Sequence, residues 1–131
     1  MTSFLVDANA FLRFFLNDIP KQKKEFERLL KKAEKSKVLL IVPQIIIFEI
    51  DFALRKYYRF SKEEVVDKLQ TIVETPFLEI EDSLIFREAI QIYSGNNLSL
   101  TDCFLYVKAK EENRQLFTFD KALKNLQKLI K

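Results

Sequence analysis

The chain has 131 residues, 48% of them apolar, and a formal net charge of +3. That is enough for one domain, residues 1–131, whose core buries roughly two-thirds of the surface the unfolded chain exposes, and it is too apolar and too weakly charged for disorder. Histidine is absent and Cys103 is the one cysteine, which excludes histidine general bases, Ser-His-Asp triads, Cys-His nucleophiles, histidine metal sites and intramolecular disulfides.

The elements follow in chain order. Ser3 to Val6 is a short apolar strand, and Asn9 to Leu16 a helix that stops before Pro20. Lys21 to Ser36 is a helix with Phe26, Leu29, Leu30 and Ala33 on one face. Val38 to Val42 is a continuous apolar run, as in a strand covered on both faces. Pro43 opens a helix to about Tyr57. Ser61-Lys62-Glu63-Glu64 is a capping-box pattern that starts a helix reaching Glu74. Phe77 to Ile80 is a third strand, Asp82 to Tyr93 and Ser99 to Glu112 are helices, Gln115 to Thr118 is a fourth strand, and Asp120 to Leu129 is the closing helix. Strands separated by helices pair in parallel through crossovers. The expected product is an α/β domain: a short, mainly parallel sheet of about four strands with helices on both faces, its chemistry outside the carboxyl ends of the strands.

The N-terminal stretch lacks a basic start and carries Asp7 and Arg13, so it does not read as a signal peptide. The uncharged apolar run Val38 to Phe48 is too short to cross a bilayer. The expectation is a soluble cytoplasmic protein with no membrane partner, with Cys103 a small buried hydrophobe. Lys21 to Lys37 holds eight basic and three acidic residues, and Lys121 to Lys131 holds four lysines and no acid. Such basic surface suits a polyanionic partner.

Against that basic background, four carboxylates stand where apolar runs meet polar boundaries: Asp7, Glu49, Asp102 and Asp120. An acid fixed beside a core is costly unless something positive compensates it, and a shared divalent cation is the simplest compensator. Each acid also has a plainer reading. Asp120 suits a helix N-cap, Asp102 closes the capping-box pattern Ser99-Leu100-Thr101-Asp102, and Asp7 suits a turn or cap. Glu49 is harder to dismiss. At roughly 100° per residue it lies about 200° from Asp51 and the polar stripe of its helix, with Ile45, Ile46, Phe52 and Ala53 as its helical neighbours. It reads as an ionised acid held against an apolar face and compensated there, ahead of the competing reading, a buried protonated acid.

With these residues in place, the chain resembles a PIN-domain ribonuclease, and most closely the toxin member of VapBC-type toxin–antitoxin pairs. Phe4-Leu5-Val6-Asp7-Ala8-Asn9 resembles the family's first motif, Pro43 through Glu49 the second, Leu100-Thr101-Asp102-Cys103 the third and Phe117-Thr118-Phe119-Asp120 the fourth. Ala8 departs from the pattern, standing where the family usually has threonine or serine. The resemblance implies a metal-dependent endoribonuclease that leaves a 5′-phosphate and a 3′-hydroxyl, an antitoxin partner and a homodimer. The site would be Asp7, Glu49, Asp102 and Asp120, both as catalytic acids and as metal ligands, with Asp7 and Asp102 primary and Asn9 orienting a carboxylate or a water. An all-carboxylate set without histidine suits Mg2+ or Mn2+.

Thr118, two residues before Asp120 in a strand, would share its face and reach a carboxylate or the phosphate; the competing reading, a plain β-branched strand residue, ranks slightly ahead. Arg13, one helical turn from Asn9, has two readings of equal rank: a contact with RNA phosphate, or a solvated helix charge. Arg55-Lys56-Tyr57-Tyr58-Arg59-Phe60 interleaves bases and aromatics, so Arg55, Lys56 and Arg59 are RNA-contact candidates; the competing reading, a helix end whose aromatics complete the core, ranks first. Two other functions stay open: a non-catalytic PIN-like interaction module, and an aspartate-based phosphotransfer or phosphatase domain acting through Asp7.

Overall fold

The computed structural model describes residues 1–129; Ile130 and Lys131, the latter the last lysine of the basic C-terminal run, lie outside the described residues. The chain divides into two compact units, Met1–Ser83 and Leu84 onward.

In the first unit the apolar runs form a three-stranded parallel sheet in the order β1-β2-β3, with β1 Thr2–Leu5, β2 Val38–Val42 and β3 Leu78–Ile80. Register is set by Phe4 opposite Leu40 and Leu40 opposite Leu78. Leu40 and Val42 of the central strand are fully buried, which fits the uninterrupted apolar run at that point in the sequence. The helices are α1 Ala8–Leu16, α2 Pro20–Glu34, α3 Gln44–Lys56 and α4 Lys62–Val73. Three of these starts have a local cause. Asp7 caps α1 and Pro20 occupies the first position of α2. Ser61 and Glu64 form a reciprocal capping box on α4, with Ser61 Oγ accepting from Glu64 N at 3.2 Å and Glu64 Oε1 from Ser61 N at 3.0 Å.

Pro43, at the N-cap of α3, has no side chain that can cap. Glu81, just past β3, does the work instead: its Oε1 accepts from Gln44 N at 2.9 Å. A carboxylate there also opposes the positive end of the helix dipole. Packing follows periodicity. Ile47, Ile50 and Leu54 of α3 and Val65 and Leu69 of α4 are fully buried, each worth roughly 1.5–3 kcal/mol of apolar transfer. Phe11 and Phe26 join α1 to α2 edge-to-face at 5.2 Å.

The second unit is helical: α5 Ser83–Gly95, α6 Leu100–Glu111 and α7 Lys121–Leu129. Phe86, Ile90, Tyr93, Leu100, Cys103 and Val107 are buried there, and Phe86 and Phe104 lie ring to ring at 4.8 Å. Cys103 is thus the buried hydrophobe the sequence predicts.

The predicted fourth strand is a correction. Residues 115–118 join no sheet among the described residues. The backbone of Leu116 is bonded by a side chain instead, that of Gln127, and Phe117 and Phe119 on either side of Thr118 are 85% and 83% exposed. The first strand also begins and ends one residue early; Val6 still donates to Ile41 O at 2.9 Å, so pairing stops immediately before Asp7.

Candidate active site

Asp7 stands where the β1 ladder ends and the first turn of α1 begins. Its Oδ1 accepts from Ala10 N at 3.1 Å, and among the described residues Oδ2 makes no hydrogen bond. The chain returns through β2 and Pro43 into α3, and this crossover brings Glu49 to the same place. Asp7, Asn9 and Glu49 line one cavity of about 540 Å³ together with Ala8, Phe48, Phe52, Tyr57 and Tyr58. No lysine or arginine is among the residues that line it.

Glu49 itself corrects the sequence reading. It is exposed, not held against the core, and among the described residues it has no hydrogen bond or ion pair. Ile45 and Phe52, one helical turn to either side, are 61% and 52% exposed. Helix α3 therefore carries two apolar stripes. One is buried (Ile46, Ile47, Ile50, Leu54), and the other, with Glu49 in its middle, faces the cavity. Exposed apolar side chains around an acid exclude competing hydrogen-bond partners and leave the carboxylate available.

Asp102 and Asp120 belong to the second unit. Asp102 is in the first turn of α6, where its N–H donates to Ser99 Oγ at 3.1 Å. The return half of a capping box is not made: among the described residues the half-buried Asp102 carboxylate has no hydrogen bond or ion pair. Asp120 takes the plainer role as well as any other. Its Oδ1 accepts from Leu123 N at 2.9 Å and caps α7. Thr118 is not in a strand and does not share a face with Asp120; its Oγ1 accepts from Asp120 N at 3.1 Å and fixes the turn before the cap.

The basic candidates separate. Arg13 is half-buried, with Nη1 3.3 Å from Asp18 Oδ2 and Nη2 donating to Tyr58 Oη at 3.2 Å. Arg55, Lys56 and Arg59 line a neighbouring cavity that meets the Asp7–Glu49 cavity at Phe52. Tyr57 is 73% exposed and Tyr58 is also exposed, so the tyrosines of this segment do not finish the core; they line the Asp7–Glu49 cavity. Sequence reasoning missed this tyrosine wall, and missed Glu81. The signal for Glu81 was the capless Pro43 start of α3, which demands an acceptor from elsewhere.

A PIN domain family model matches residues 4–129, across both units. The chain belongs to the PIN domain family. A VapC ribonuclease of Aquifex aeolicus (strain VF5) is 31% identical over 102 residues, which is 77% of this chain and 73% of that relative. This similarity makes the chain a VapC-type PIN domain protein, and the predicted α/β class with a small parallel sheet agrees with the observed architecture.

The donor set also bears on a metal. Within neither unit do the described residues gather three or more acidic or cysteine side chains into a metal cage. Mg2+ does not require one, because it keeps several waters and is commonly held by one or two carboxylates plus substrate phosphate. Two acids and an amide on one cavity, with no cation among the lining residues, fit a hard divalent ion.

Proposed function

We propose that this PIN domain protein is a divalent-metal-dependent endoribonuclease and the toxin of a type II toxin–antitoxin pair. The observation that carries the reading is the pairing of Asp7 with Glu49 on a single cavity whose lining contains no positive side chain. The family match and the similarity to a VapC ribonuclease support it. Together they favour a hydrolase over a non-catalytic module.

The residues take the following roles. Asp7, with one oxygen spent on capping α1, offers the other to Mg2+ or Mn2+; Glu49 is the second acid of that cavity, and Asn9 orients it or a water. Asp102 and Asp120 of the second unit are the remaining essential acids, with Thr118 holding the Asp120 turn. Such an ion supplies polarisation of a phosphoryl oxygen and a lowered pKa for water. The chain's own part is to hold the acids in place, to keep its own basic side chains out of the cavity lining and to hold RNA. Arg13 fixes Tyr58 in the cavity wall, and Arg55, Lys56 and Arg59 contact the RNA backbone. An antitoxin, a homodimer and a cytoplasmic setting belong to the same proposal. No helix among the described residues is long and apolar enough to cross a membrane.

The test incubates the protein with structured RNA in Mg2+ or Mn2+, beside Asp7→Asn and beside excess chelator. Cleavage by the unaltered protein alone is expected. Equal cutting in all three reactions overturns the proposal.

A further inference from the structure

A second cavity, of about 600 Å³, shares Asp7 and Asn9 with the one just described. Its other walls come from β1, α1 and α2, and its charge is of the opposite kind: Arg13, Arg28 and Lys32 against Asp7 and Glu25. Arg28 and Lys32 are one helical turn apart and so lie on one face of α2. Both are exposed, and among the described residues neither side chain has an ion pair or hydrogen bond. Arg13 is the fixed member, tied to Asp18 and Tyr58. Its Nε is buried without a hydrogen-bond partner among the described residues, which leaves one donor unspent.

We propose that this cavity holds a backbone phosphate of the RNA next to the linkage being cut, with Arg28 and Lys32 as its contacts and Arg13 as the fixed cation behind them. The inference rests on the nuclease reading. It follows from the sequence of charges along a continuous surface. The first cavity has acids and no cation and suits a metal ion. The second, meeting it at Asp7 and Asn9, has more cations than acids and suits an anion. A polyanion laid across both places one phosphate at the acids and its neighbour at Arg28 and Lys32. Guanidinium and ammonium groups with no partner of their own lose no internal ion pair on taking a phosphate. An acidic side chain of a protein partner would use the same cations, but continuity with the carboxylate cavity favours RNA.

The experiment measures binding of a short single-stranded RNA oligonucleotide to the full-length Asp7→Asn chain over a range of salt concentrations. Each phosphate contact in single strands contributes about 0.7 to the slope of log affinity against log salt, so Arg28→Ala/Lys32→Ala lowers the slope by about 1.4. Lys31→Ala is the control: Lys31 is exposed on the same helix and does not line the cavity. It leaves the slope unchanged. In the Asp7-intact chain the double variant raises KM and leaves kcat alone, and the difference disappears with a dinucleotide too short to reach the second cavity. A double variant that matches Lys31→Ala in slope and KM overturns the inference, as does an absence of oligonucleotide binding. Loss of a protein partner with the RNA slope intact overturns it too, and reassigns the cavity to protein docking. Failure of the nuclease reading shows separately, as an unaltered chain that does not cut RNA whatever its salt slope.

Discussion

The side-chain amide of Gln127 holds both backbone polar groups of Leu116, with Oε1 accepting from the Leu116 N–H at 3.3 Å and Nε2 donating to its carbonyl oxygen at 3.3 Å. This is the pair of bonds a neighbouring strand would make with that residue. A backbone that looks like a strand in sequence is thereby satisfied without a ladder.

Gln127→Ala removes both bonds from a part-buried backbone and is expected to lower stability by about 1 kcal/mol. Amide exchange localises the effect: the Leu116 N–H, protected in the unaltered chain, exchanges faster, while amides of α4 are unchanged. Gln127→Glu retains the acceptor and loses the donor, so it restores protection at Leu116 in part.

Asp7 caps α1, and the proposed function gives it a chemical duty as well; two substitutions separate the two. Asn is as good an N-cap as Asp, so Asp7→Asn keeps α1 and its thermal midpoint. It is expected to lower RNA cleavage by about a hundredfold or more, the scale seen when one group stabilising transition-state charge is removed. Asp7→Ala loses the same activity and also about 1 kcal/mol of capping. A stable Asp7→Asn chain with full cleavage rates would assign Asp7 to capping alone.

Glu81 reaches the site only through α3, whose first N–H it accepts. Glu81→Ala leaves that donor to water and is expected to cost about 1 kcal/mol. Cleavage falls as well, because the start of the helix bearing Glu49 is no longer pinned. Glu81→Gln keeps an acceptor oxygen and loses only the charge opposing the helix dipole, so it recovers most of both. Thermal midpoints and cleavage rates measured on the two variants check this.

Local rules made much of this molecule readable from its sequence. The β2 run, the Ser61–Glu64 capping box and the buried Cys103 each depend on neighbours in the chain, and each is where the sequence puts it. Asp7 at a strand end is also local, which is why its place at the cavity was legible. What failed depended on partners far along the chain. Residues 115–118 have strand composition, and the Leu116 backbone is bonded by the side chain of Gln127 in place of a ladder. Glu49 lies off the polar stripe of its helix, which implies burial if every apolar stripe faces a core; α3 has a second apolar stripe that faces a cavity. Tyr57 and Tyr58 looked like core-completing aromatics for the same reason. The PIN motifs named Asp7 and Glu49, but not the tyrosine wall beside them.

Glu64 has its carboxyl pKa lowered, chiefly by the hydrogen bond from the Ser61 backbone N–H, then by the Ser61 hydroxyl and, more weakly, by Lys68. A carboxyl depressed by folding contributes stability that is complete above its unfolded pKa and is lost as pH falls through its folded value. Glu64→Gln lacks the charge, so its midpoint is expected to lie below that of the unaltered chain near neutrality. The gap closes as pH is lowered through and beyond the ordinary glutamate range of about 4.3. Glu112, lowered first by its bond with Lys108, has the same sign and acts equally in both proteins, so the difference between them isolates Glu64. Lys110, raised chiefly by its bond to Glu88, loses its contribution only as pH rises through its folded value, well outside this window. Thermal melts of the two proteins at stepped pH check the claim, and a gap that stays constant into acid would show that the capping box does not depend on the Glu64 charge.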